Sequence, residues 1–562
     1  MLHINRRNQY IRRALINAQK LFQKLHSTSK KFSLSIAVLA FILITACTNT
    51  TDSTQDHLVF RYNEHSNIPT LDPAFARNPQ AIWPSNQLFN GLVQLDDSLN
   101  VKPDVAKSWV INDTTLTYTF TLRDDVYFHK NKVFGADSTR TVVASDFVYS
   151  FNRLTSPQVA SPGSWVLQNV HSYRAENDTT FVVKLKSPFP PFLGLMSMRY
   201  CSVVPEEAVS FYGSDFRSNP VGTGPFEFKL WEENIKLVFR KNPLYFEKDK
   251  NGNQLPYLEA VAITFLPDKQ SEFLQFAQGK IDMVVGLDNS YKDEIITTTG
   301  QLQPKYQADF KLITTPYLNT EYLGFFLGTE TSEINSKALR QAVNYGFDRE
   351  KMVKYLRNGM AFPAVNGFIP KGLPGFDNIK GYEYNPEKAR QLIETYKLET
   401  GDTTPEITIG TNSQYLDVCE YIQRELQKLG VGVTIDVVPP STLRQMKSSG
   451  ELDIFRASWI ADYPDAENYL SLFYSENFTP NGPNYTHYKN NTFDSLYVAA
   501  QNISDITQRK IVYTKMDSIV MADAPIVPLY YDMAIRFVSK KVTGLGINPQ
   551  NFLVLKHVKK ER

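Results

Sequence analysis

The segment Phe455-Arg456-Ala457-Ser458-Trp459-Ile460-Ala461-Asp462-Tyr463-Pro464-Asp465 gathers a guanidinium, an indole and two carboxylates where a β-like stretch runs into a turn. A carboxylate on a cleft wall suits a ligand ammonium, and an arginine suits a ligand carboxylate, because hydrogen bonds between ionised groups are the strong ones. A zwitterionic peptide offers both ends. The plainer alternative is that these are solvated loop charges. Other residues capable of chemistry are scattered: there is no HExxH, GxSxG, P-loop or paired CxxC. His57, His65, His129, His171 and His487 show no i, i+4 pairing, so no metal site of local spacing and no cofactor are expected. Gly222-Thr-Gly224-Pro225 lacks the Lys-Ser or Lys-Thr that would hold a phosphate, and reads as a structural turn.

A second chemical signal lies near the start. Eight basic and no acidic residues precede the 13-residue apolar run Phe32 to Ile44, which leads into Ile44-Thr45-Ala46-Cys47. That run is shorter than the ~20 residues a spanning helix needs, and small residues stand where a peptidase must approach the backbone. Residues 1–46 are therefore expected to be an export signal, with Cys47 in a tetrapeptide that resembles a bacterial lipobox and carrying the lipid. A single membrane helix with a chance cysteine is the alternative, and the long basic stretch allows a start later than Met1. Residues 47–56 are polar, with nothing to bury, and suit a flexible tether. Without the first 46 residues, 52 basic residues face 58 acidic ones, a net charge of −6. That balance argues against a nucleic-acid partner.

A chain of 562 residues exceeds what one core usually organises, so at least two lobes and a large cleft are expected. Leu116 to Leu122 and Phe181 to Leu185 read as half-buried strands. Ala338 to Leu356 and Asp417 to Leu429 carry helical spacing, and the second passes through Gly430 into a strand over Val431 to Ile435, the usual connection of an α/β lobe. Compositional breaks near 314–318, where a polar linker stands, and near 525–531 look like crossings between lobes, which places Cys201 and Cys419 in different lobes as free buried thiols.

In order along the chain stand Leu71-Asp-Pro73, Leu88-Phe-Asn-Gly-Leu92, Ala106-Lys-Ser-Trp109 with Tyr118 to Arg123, and Ala144-Ser-Asp-Phe-Val-Tyr-Ser-Phe151. They continue with Asn219-Pro-Val-Gly-Thr-Gly-Pro-Phe226, Gly279-Lys-Ile-Asp282, Leu339-Arg-Gln-Ala342, Phe347-Asp-Arg349 and Asp523-Ala-Pro-Ile-Val-Pro528. With these landmarks the chain resembles the oligopeptide, dipeptide and nickel class of bacterial extracellular solute-binding proteins, family 5, over nearly the whole mature length. The resemblance implies a bilobal α/β fold of the periplasmic-binding-protein kind (type II, large cluster C-like), with mixed sheets. It places a lobe I core at 57–90, 216–315 and 531–562, an extra subdomain at 91–215, and lobe II at 316–530. In the peptide-binding branch it makes Asp462 the partner of the ligand α-amino group, Arg456 that of a short peptide's carboxyl end, and Trp459 and Tyr463 neighbours in the site. That branch also uses the segment matching Arg77 to Trp83 for strand-like hydrogen bonds to the peptide, and here the segment contains Pro79, which has no N–H to donate.

The function so implied is that of a lipid-anchored protein on the periplasmic side of the cell envelope, not an enzyme. It would deliver a peptide to the permease and ATPase complex of an ABC importer. A family member for another solute, such as a nickel chelate or an oligosaccharide, and a peptide-sensing receptor are the alternatives.

Overall fold

The computed structural model describes residues 58–561 apart from 115, 289, 330–332 and 377–378; Cys47, the signal and the tether lie outside the described residues. Among the described residues the largest sheet has eleven strands. Its order from one edge is Gly432–Val437, Glu406–Thr411, Ile454–Ile460, Phe310–Phe325, Ile526–Ser539, Met283–Val285, Val59–Glu64, Ala260–Phe265, Lys236–Lys241 and Phe226–Glu232, with Ala361–Pro363 joined to the side of Ile526–Ser539. The sheet is mixed: Glu406–Thr411 runs parallel to both its neighbours and Val59–Glu64 parallel to Ala260–Phe265, while the central pair is antiparallel.

That central pair, Phe310–Phe325 and Ile526–Ser539, spans the sheet's two halves. At one end Leu312 faces Phe537 and at the other Leu323 faces Val527, and the register slips between Pro316 and Thr320 and again between Glu321 and Tyr322. Proline supplies no ladder N–H, so a break beside Pro316 follows from the sequence. A separate four-stranded antiparallel sheet holds Thr117–Leu122 against Thr180–Leu185, the two expected strands, with aromatic packing of Phe181 on Phe147 and Phe151 of the helix Ala144–Thr155. Cys201 and Cys419 are free and buried.

Two expectations need correction. The single helix expected over Ala338 to Leu356 is two, Lys337–Tyr345 and Arg349–Leu356. Asp348 caps the second by accepting from the Lys351 N–H (2.9 Å), and a β-carbon on Gly346 would lie 2.6 Å from Leu426 of the helix Leu416–Gln427, so that helix packs closely against the break. The segment Arg77 to Trp83 is not extended beyond Asn78. Pro79–Leu88 is a helix, because Asn78 accepts from the Ala81 N–H (3.1 Å) and Pro79 takes the first position, where no N–H is needed.

Several sequence landmarks are structural clasps. Arg349, 1% exposed, donates to the carbonyls of Asn344 (2.8 Å), Tyr382 (3.2 Å) and Pro528 (2.6 Å), and Arg340 reaches those of Asp523 and Ala524 (2.9 Å each), so distant motifs lock together. The glycine turn is packed on Leu88: a β-carbon on Gly222 would fall 2.1 Å from the Leu88 carbonyl oxygen. His129 accepts from the Gly222 N–H (3.3 Å) and donates to the Gly224 carbonyl (3.0 Å), while burial pushes its pKa down to about 4 and keeps it neutral.

Asp72 accepts from the Ala74 N–H (3.0 Å) and receives two bonds from Arg153, one of 2.9 Å, with both side chains largely buried. Asp72→Ala leaves that guanidinium without its partner, and the expected cost is about 3–5 kcal/mol. Urea unfolding of the variant measures it, and a loss below about 1 kcal/mol, the size of an exposed pair, would contradict the clasp.

Candidate functional site

The strand Ile454–Ile460 enters the site from the interior, paired antiparallel with Phe310–Phe325 so that Leu323 faces Arg456, Glu321 faces Ser458 and Thr320 faces Trp459. Side chains alternate along a strand, so Arg456 and Trp459, three residues apart, project from opposite faces. The strand ends at Ile460 because the chain turns at Ala461-Asp462-Tyr463. Three residues from outside the strand hold that turn. The Asn468 side-chain oxygen accepts from the Trp459 indole N–H (3.0 Å) and from the Asp462 backbone N–H (3.1 Å). Gln550, near the C-terminus, donates to the Asp462 carbonyl (3.2 Å), and the Ala461 N–H donates to the Leu318 carbonyl (2.9 Å).

Two cavities meet at Asp462. One, of about 1070 Å³, is lined by Trp459, Asp462 and Tyr463 together with Phe189, Tyr200 and Glu467. The other, of about 160 Å³, is lined by Asp462, Arg77, Pro79, Tyr200, Tyr317 and Ile460. The Asp462 carboxylate is open to cavity solvent, yet protein crowds it on several sides. This loss of bulk water pushes its pKa up to about 6, against the lowering effect of the Asn468 side chain. Among the described residues it has no ion-pair partner. Tyr463 is buried, donates its hydroxyl to Glu467 and meets Phe189 edge to face, with ring centroids 6.2 Å apart.

Arg456 lies elsewhere. Its guanidinium is buried, pairs with Glu321 and covers the ring of Tyr415. It lines neither cavity at Asp462. Tyr415 belongs to a third cavity, of about 390 Å³, together with Arg357, Lys292, Tyr530 and Asp532. There burial and the nearby Glu321 push the Asp532 carboxyl up to about 6. The structure therefore brings Trp459, Asp462 and Tyr463 to one cavity and leaves Arg456 on the other face of the strand, with one donor, Nε, buried and unpartnered.

The sequence reading passed over Asn468, Glu467 and Gln550. Glu467 and Asn468 are each 4% exposed in the run Ala466 to Phe473, where Ser471 is the other polar residue, and a carboxylate and an amide set among apolar residues were a usable signal. Gln550 has no local signal, since only the fold brings it 88 residues back to Asp462.

Residues 100–481 match the family described as bacterial extracellular solute-binding proteins, family 5, middle region. The chain belongs to that family. It is 27% identical over 530 residues to the periplasmic oligopeptide-binding protein OppA of Salmonella typhimurium, covering 88% of this chain and 92% of that protein. To the glutathione-binding protein GsiB of the same organism it is 24% identical over 490 residues, covering 86% and 91%. Among solved structures it is similar to the ABC transporter-associated periplasmic binding protein DppA of Helicobacter pylori in complex with the peptide STSA, with a TM-score of 0.74 at 25% identity, covering 90% and 98%. The family 5 protein thus has the expected bilobal α/β fold with mixed sheets.

An unpaired, crowded carboxylate costs a ligand-free protein stability. Asp462 keeps its proton in the fold up to about pH 6, whereas an unfolded chain releases it near 3.8, so stability contributed by this group falls as pH rises from about 4 to 6 and is level above. Thermal unfolding of the ligand-free protein should therefore show Asp462→Asn gaining on the unmodified chain across that window and staying ahead at pH 7 and 8. A variant less stable at pH 7 would mean that the charge is structurally paired.

Proposed function

We propose that this family 5 protein captures short peptides between its lobes and presents them to the permease and ATPase of an ABC importer. In this reading lipid at Cys47 holds it on the periplasmic side of the envelope. The observation that carries the proposal is Asp462: a carboxylate without a cation, at the junction of two cavities, beside Trp459 and Tyr463. Such a group suits the α-ammonium of a peptide, with the indole and phenol rings as apolar walls for its first residues. For Arg456 to meet a short peptide's carboxyl end, as the resemblance implies, its guanidinium would have to leave Glu321, because it lies on the opposite face of the strand from the Asp462 cavities. The relatives lend support, being named for oligopeptide and glutathione binding, and glutathione too carries an α-ammonium.

No bond need be made or broken. Lobe I is proposed to comprise 57–90, 216–315 and 531–562 with its subdomain at 91–215, and lobe II to comprise 316–530. A ligand that touches both lobes favours the closed arrangement by its differential affinity. The slips of register beside Pro316 and Glu321 put weakened pairing where such a rotation has to be absorbed. The closed form is then what the importer recognises, and its ATPase supplies the energy.

Native mass spectrometry of the protein as purified from its own cell tests the reading. Bound species with the masses of short peptides, released on unfolding, are expected. A nickel chelate or an oligosaccharide in their place would overturn the peptide assignment while leaving the family fold intact.

A further inference from the structure

The larger cavity beside Asp462 has an uneven lining. Three carboxylates face it, those of Asp462, Glu467 and Glu476, and no lysine or arginine is among its described lining residues. Its apolar walls include the rings of Trp165, Phe189, Tyr200, Trp459, Tyr474 and Tyr497. Glu467 is the unusual member. It is 4% exposed and opens the short helix Glu467–Leu470, a few residues after the Asp462 turn. One carboxyl oxygen accepts from the Tyr463 hydroxyl and the other from the Tyr497 hydroxyl.

A buried carboxylate ordinarily has a cation beside it, because hydroxyl donors alone do not offset the loss of water. The neighbouring acid shows the ordinary arrangement: Asp465 is paired with Arg509 at 3.0 Å, both side chains being more than nine-tenths buried. Among the described residues Glu467 has no such partner, and burial, with the nearby Asp465 charge adding to it, pushes its pKa up to about 7 against the hydrogen bonds from Tyr463, Tyr497 and Gln501. Its two tyrosines fix the carboxyl plane at the cavity wall without neutralising it. The surrounding rings supply aromatic surface of the kind that attracts cations, and no lysine or arginine among the described lining residues competes there.

On the reading that Asp462 holds the α-ammonium, we infer that this cavity selects peptides with a lysine or arginine side chain at the first or second residue, and that Glu467 is the specificity-determining group that receives it. The aromatic walls take the aliphatic stem of such a side chain and the carboxylate takes its head. Tyr463 and Tyr497 act as positioning residues through their hydrogen bonds to Glu467. A peptide with two positive charges near its amino end thereby supplies the counter-charge that both carboxylates lack.

The test uses tripeptides that differ in one charge: Lys-Ala-Ala and Ala-Lys-Ala against the same sequences with norleucine, which keeps the stem and lacks the ammonium. Calorimetry on the full mature chain, stripped of bound ligand, should find at least one lysine peptide about tenfold or more tighter than its norleucine counterpart. In Glu467→Gln, which preserves the acceptor for a tyrosine hydroxyl, that ratio should fall to about threefold or less. Equal affinity of lysine and norleucine peptides for the unmodified protein would overturn the inference and leave peptide binding standing. A ratio unchanged in Glu467→Gln would also overturn it, assigning the preference to another group. Binding of none of the four peptides would overturn the peptide reading and this inference with it. The comparison on the unmodified protein decides the matter even where the variant does not fold.

Discussion

A binding site that meets a ligand's charge with one of its own is strongest when that charge is unpaired in the empty protein, and in the proposed reading Asp462 is where this fold bears that constraint. Its carboxylate faces two cavities, lies in a crowded setting that disfavours ionisation and has no basic partner among the described residues. The rest of the local structure holds the group in place without neutralising it. Asn468 fastens the Trp459 ring and the Asp462 backbone with one oxygen, and Gln550 reaches the Asp462 carbonyl from the end of the chain. These contacts use amide dipoles rather than full charges. They orient the turn while leaving the carboxylate's electrostatic demand to be met from outside.

Several other buried charges in the molecule have fixed partners. Arg456 has Glu321, Arg509 has Asp465, and Arg153 has Asp72, each pair being predominantly buried. Arg349 and Arg536 have backbone carbonyls in place of carboxylates. Arg536 ties the loop around Asn551 and Phe552 to the strand Ile526–Ser539. That loop also receives the Trp83 indole N–H and carries Gln550, so the scaffold of the site is continuous with the central strand pair. A rotation absorbed near Pro316 therefore acts on a segment two residues from Leu318, whose carbonyl holds Ala461. In the proposed reading, movement of the lobes would thereby be linked to the position of the Asp462 turn.

The family and the fold were legible because the motifs that carry them are rigid clasps. Arg349 and Pro528 are read as separate motifs in the sequence and are bonded to each other in the structure. The Gly222 turn was legible as structural for a related reason, since a glycine packed onto a carbonyl oxygen leaves a trace in composition. The site was only half legible. Trp459, Asp462 and Tyr463 fall together because they belong to one strand end and its turn. Arg456, read with them by proximity in sequence, points the other way, since strand alternation is a property of the pairing and not of the local composition. The break between Lys337–Tyr345 and Arg349–Leu356 was missed because apolar spacing runs on through Gly346, although Asp348 stands as the N-cap of the second helix.

The central claim is that Asp462 meets the amino group of a peptide, and a four-way calorimetric cycle tests it most directly. The unmodified protein and Asp462→Asn are each titrated with one tripeptide that has a free amino terminus and with its N-acetylated form. The account predicts tight binding only for the unmodified protein with the free peptide. A loss on the order of a hundredfold or more is expected when either charge is removed, with little further loss when both are. Equal affinity in all four combinations would contradict it and remove Asp462 from the site.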